Sequence, residues 1–326
     1  MSMPLPIWLI PVALKGAAVV AGVAGVGSAA QGVMKMKDAN DTMEAAKSRH
    51  ERNNERFEKE NKETSKSMDK LGKLEMEILH SFGDFADVFE QIKNRPTFEN
   101  YKKNGVELPK YDGEKLKEVS VGAGVLLGGL GGAGLGTAGG FVAAGATTAA
   151  VMAFGTASTG TAIASLSGAA ALGAATLGVG LLVGGAIFNF TGGKLSDKAD
   201  EAWDQMLKAE AQINTICAYL VDLRGISKKY YDVVSKVDAI YRKHLSELKD
   251  IVYIQGHTDW RTFTAEQRKI TENTVLLVGL LYSMCKIALV LKGENENDMN
   301  KINKTEINRA INNANTVLED KFQDAK

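Results

Sequence analysis

Few residues in this 326-residue chain have the types and spacing that chemistry needs. Gly129-Leu-Gly131-Gly-Ala-Gly134 matches G-x-G-x-x-G, the turn that sets a dinucleotide pyrophosphate on a helix N-terminus. That site also requires a strand before it, a helix after it and an acid about 20 residues on for the ribose. The next acid is Asp197, and chance alone gives the match in so glycine-rich a stretch. Phe154 to Gly160 (FGTASTG) resembles a nucleophile elbow but misses G-x-S-x-G by one residue type. No phosphate-binding G-x-x-x-x-G-K-[ST] occurs, since Lys194 follows two glycines but leads into Leu195. His50, His80, His244 and His257 are scattered, and no pair has the i, i+4 spacing of metal ligands. Cys217 and Cys285 allow one disulfide but give no framework, which fits a compartment that keeps thiols reduced. These residues predict no enzyme, no cofactor and no metal site.

What would position any site is a chain built around Val119–Gly193. Those 75 residues contain no Asp, Glu, Lys, Arg, His or Pro, and hold 21 of the 34 glycines. A helical span of a bilayer takes about 20 residues, so the run has the length for two or three spans or one long hairpin. Gly124, Gly128, Gly132, Gly136 and Gly140 recur every four residues, followed by Gly160 and Gly168, then Gly180 and Gly184. Residues four apart share a helix face. A face of such small side chains lets backbones touch, which is how helices associate in lipid. In water glycine costs a helix about 1 kcal/mol relative to alanine. In lipid an unpaired amide costs more, so the balance favours helix there. The expectation is a segment ordered by lipid, with a permanently enclosed core as the alternative.

The formal net charge is zero, with 39 basic and 39 acidic residues, so nothing points to nucleic acid as a partner. Residues 1–34 are largely apolar, carry no charged side chain but Lys15 and form an N-terminal segment. Trp8, between Pro6 and Pro11, suits a membrane interface. No basic region precedes the apolar run, which departs from a secretion signal. Residues 35–118 carry a heptad helix and a connector. Its seam runs through Met36, Met43, His50, Phe57, Thr64, Leu71, Ile78, Phe85 and Ile92, with Ala39, Ala46, Leu74 and Val88 as companions. Sixty residues of helix would reach about 90 Å. Residues 194–326 open with a second seam from Ala199 to Leu248, with Ala202 to Ile251 beside it. Gly225 is a point where this helix would bend. Thr264 with Gln267 fits a capping box that opens a third helix. Thr274–Leu291 reads as a helix buried in a bundle, with a short span as the other reading. Asn300–Lys326 is a fourth helix.

The fold class is therefore all-α. The layout is an elongated bundle of two long amphipathic helices and two shorter C-terminal ones, with a Gly/Ala-rich apolar insert leaving one end as a membrane head. This order of long helix, uncharged insert and long helix resembles the cytolysin A type of α-helical pore-forming toxins and their multi-component relatives. Gly155–Ile213 also resembles a glycine-zipper segment of bacterial proteins. The resemblance implies a soluble resting form that hides the insert, in the cytoplasm or secreted without an evident signal peptide. It also implies a membrane-associated homo-oligomer or multi-component helical assembly that puts the insert into a lipid bilayer. The chain departs from the toxins in its longer insert, its extra N-terminal segment and the lack of a signal. The missing signal raises an intracellular role, a membrane-disrupting effector acting from inside a bacterium, for instance in defence against phage.

Overall fold

The computed structural model describes residues 26–98, 101–103, 105–108, 112–129, 195–291 and 300–322. Within them the chain is all-α, with five α-helices and two ladders of two residues per strand.

Helix α1 is Val26–Glu90, one element of 65 residues. It stops before Pro96, where the Arg95 guanidinium donates to the carbonyls of Phe89 at 3.3 Å and Ile92 at 2.8 Å. Those acceptors are the oxygens a helix end leaves unpaired. Strands β1 (Lys102–Lys103) and β2 (Val106–Glu107) pair antiparallel around Gly105, whose φ of 79° suits glycine. Helix α2 is Gly113–Gly129, with the Asp112 carboxylate accepting from the Lys115 amide at 3.1 Å. Helix α3 is Leu195–Lys249 and runs without interruption through Gly225. It ends in a π-turn, Asp250–Ile254, and a reversal at Gly256 with φ of 72°. Helix α4 is Ala265–Cys285, and the expected capping box is present, with Thr264 and Gln267 bonded reciprocally. It ends short of the apolar run that the sequence offers, and Val290–Leu291 (β3) pairs instead with Lys301–Ile302 (β4). Helix α5 is Lys304–Lys321.

Two compact units are distinguished. In the first, which takes α1 up to Asn61 and α3 up to Leu220, Ala46 packs on Ala202 and Met206. Arg49 pairs with Glu210 at 2.8 Å, and Arg56 bonds Asn214. Residue numbers rise together on the two helices, so their segments in this unit are parallel.

The second unit holds α1 from Lys62, α2, α3 from Val221, α4 and α5. Here too α1 and α3 are parallel: Glu63 meets Arg224, Ser67 meets Ser227 at 3.3 Å, and Asp84 meets Lys249 at 2.7 Å. Helix α2 runs the other way along α1, from Lys117 beside Glu90 to Gly124 beside His80. Helix α4 runs against α3, with Asn273 at His244 and Met284 at Tyr230. Helix α5 runs with α3, from Lys304 at Asp222 to Phe322 at His244. The core is apolar and aromatic, with Phe82, Phe85, Phe89, Tyr230 and Tyr241 among its fully buried side chains. Helix α2 thus leads back along α1, against the direction of α1 and α3 in this unit.

Candidate anchor of the apolar run

Of the residues assigned to membrane insertion or helix packing, two are described. Gly124 and Gly128 both lie on α2. Gly132, Gly136, Gly140, Gly160, Gly168, Gly180, Gly184 and Trp8 lie outside the described residues, as do FGTASTG and most of the G-x-G-x-x-G match.

Gly124 sits against the second unit's own helix α1. A Cβ added there would come within 2.8 Å of His80 Nδ1. One turn earlier, Ser120 makes a reciprocal pair with the same residue. The Ser120 hydroxyl donates to the His80 carbonyl, and His80 Nδ1 lies 3.2 Å from the Ser120 carbonyl. Gly83 completes the contact, since a Cβ on it would stand 2.5 Å from Ser120 Oγ. Lys117 closes the upper end, 3.2 Å from Asp87 and 2.7 Å from Glu90. Leu116, Val119, Ser120 and Ala123 are buried, whereas Val121 faces outward at 68 % exposure. The first residues of the charge-free run are thus held against α1 by small side chains and two hydrogen bonds. Glycine at these positions leaves room for a neighbouring side chain directly against the helix backbone. The surface ion pairs of Lys117 contribute little by comparison.

Gly83 was invisible to the sequence pattern, because it lies in a charged segment and outside the run. Gly83→Leu is expected to cost α2 docking about 1–3 kcal/mol through overpacking. Amide hydrogen exchange in Gly113–Gly129 should then accelerate by roughly 5- to 150-fold, each 1.4 kcal/mol being tenfold. Exchange in α4 should stay unchanged, and an unmoved α2 would show that the contact is not tight.

The histidines do not assemble into a site. His50 bonds Asn54 at 2.9 Å, His244 bonds Asn273 at 3.3 Å and His257 bonds Gln267 at 2.7 Å. Burial lowers the pKa of both His50 and His244 below the usual range for histidine, with Glu51 and Glu247 partly opposing it. Charge enters those seam positions only at acidic pH. Both cysteine thiols are free and buried. Among the described residues no cluster of His, Cys, Asp or Glu is placed to hold a metal ion.

A second feature that the pattern did not reveal is a buried carboxyl. Glu75 of α1 is 4 % exposed, and its Oε1 has no hydrogen-bond partner. Burial raises its pKa well above the ordinary carboxylate range. It faces Tyr230 of α3, whose hydroxyl donates to the Met284 carbonyl at 2.8 Å, and Cys285 of α4.

Thr274–Cys285 is the inner part of α4, with Leu277, Val278, Leu280, Leu281 and Met284 buried in the core. No helix among the described residues is long and apolar enough to cross a membrane. No protein-family model, no curated protein and no solved structure matches the chain.

Proposed function

We propose that this chain is a membrane-inserting, oligomerising helical protein that permeabilises or remodels a bilayer. One observation carries the reading: 75 successive residues without a charge or a proline, of which the first few are docked on a helical unit by small-residue contacts. A run of that length has no stable place in water, and its four-residue spacing of glycines suits helix packing in lipid. In this reading the described helices are the resting, water-facing part, and α2 links them to the inserting part. The partners are lipid and further copies of the chain or related helical subunits, and the place of action is a membrane.

Purified protein should float with liposomes and release an entrapped dye. Absence of both leakage and lipid association, at every concentration and pH, would remove the proposal. Replacing Gly128, Gly132 and Gly136 with Leu should block assembly in lipid, and assembly that persists would count against glycine packing.

A second reading rests on the burial of Val119, Ser120 and Ala123 against the bundle. In it the whole run is a sequestered core of a non-enzymatic scaffold. Cleavage of the run by protease, undiminished by added lipid, favours the scaffold.

A further inference from the structure

The Glu75 carboxyl lies where α1, α3 and α4 meet, on the inward face between Leu71 and Ile78. The ionisable groups that face it are the Tyr230 hydroxyl from α3 and the Cys285 thiol from α4. Asp238 of α3, 7 % exposed and paired with Arg242 at 2.8 Å, also bears on Cys285. Glu77 of α1 bears on Asp238 in turn. No cation stands against Glu75 among the described residues, and one of its oxygens is unpartnered. A lone carboxylate cannot be held in such a place, because desolvating it without a counter-charge costs several kcal/mol. The neutral acid is tolerated.

We propose that Glu75 is a proton-operated latch on the second unit: it stays between the three helices as the acid, and gives up its proton to water only when α4 lifts away from α1 and α3. Each opening then releases one proton. Between the pH at which an exposed carboxyl ionises and the higher pH at which the buried one would, the open fraction rises tenfold per pH unit. Above that window it levels off. The device is independent of the membrane reading and would hold for a scaffold as well.

Cys285 reports on the opening. Its thiol is held well above the usual range, first of all by burial, so a reagent meets the thiolate only in the open state. Labelling of the full-length chain by iodoacetamide is followed at each cysteine by mass spectrometry from pH 5 to 8. The thiolate fraction alone raises the rate tenfold per pH unit. Opening linked to one proton adds another factor of ten, so Cys285 should gain about a hundredfold per unit in the window. Cys217, in the first unit, should gain about tenfold. In E75M and in E75Q, both checked for helix content, Cys285 should fall to tenfold per unit, and D238N should leave the hundredfold slope in place. A tenfold slope for Cys285 in the unaltered chain would overturn the proposal. So would a steep slope that survives both Glu75 changes, or one that disappears in D238N.

Discussion

Phe82→Ala is expected to lower the stability of the second unit by about 3–5 kcal/mol, the range for removing a large aromatic from a core. Phe82 has no exposed surface, and its ring meets Tyr241 edge-on at 6.0 Å between centroids. That pair adds about 0.5–1.5 kcal/mol beyond the buried area. The site has little freedom to collapse. Tyr241 is fixed by its hydroxyl, which donates to the Ser81 carbonyl at 3.2 Å. Gly83 beside it is already in close contact with Ser120 of α2. The cavity therefore stays open, and the loss should fall at the upper end of the range. The chain has two units, so one unfolding midpoint does not measure this. Hydrogen exchange of the Val221–Lys249 amides does, and a loss below 1 kcal/mol would mean that the core repacks freely. Val121→Ala, on the outward face of α2, is the control, with an expected change within about 0.5 kcal/mol.

Glu75→Met should act in the opposite direction, raising stability by about 1–3 kcal/mol at neutral pH. That is the cost of a buried polar group left unpaired. Methionine has a similar length and fills the same path through the core. The gain depends on pH with a definite sign. The folded-state pKa of Glu75 is raised, so the unfolded chain gives up this proton more readily than the folded one. Below the ordinary carboxylate range both states keep the proton and the ionisation penalty vanishes. As pH climbs from that range to the folded value, the unaltered chain loses stability and the Met variant does not. The difference should thus be smallest at acidic pH and largest at and above neutrality. A gain that is the same at every pH would assign it to packing alone.

Much of this fold could be read from the sequence. On α3 and the π-turn that ends it, every position of the two seam series from Ala199 to Ile251 is buried except His244, which is half-buried beside Phe322. The two seam lines together cover most of the buried face of α3, although Cys217, Tyr219, Asp238 and Leu245 are buried off them. On α1 the pattern identifies Leu71, Ile78, Phe85, Val88 and Ile92 but selects Leu74, which is half-buried, and passes over Glu75, Phe82 and Phe89. The reason is crowding: α2 and α3 both pack on this part of α1, so its buried face is wider than one heptad line. Glu75 was further hidden by its type, since a charged letter in a pattern reads as surface. The direction of α3 relative to α1 leaves no mark in a heptad, and neither does the docking of Gly124 on His80. Its four-residue spacing marked Gly124 for packing within the charge-free run, and in the described structure Gly124 lies against His80 of α1, in the charged segment.

The same-direction pairing of the two long helices also sets an order of events on the ribosome. Ser67 waits for Ser227, and Ser81 for Tyr241, each 160 positions further along the message. Closing so distant a contact is entropically slow, and nothing local completes the core sooner. The whole uncharged stretch is therefore translated and out of the exit tunnel before the helix that finishes its neighbour's core exists. A nascent chain in that condition is prone to aggregate, and a lipid surface or a holding chaperone within reach during synthesis would decide how much of it arrives folded.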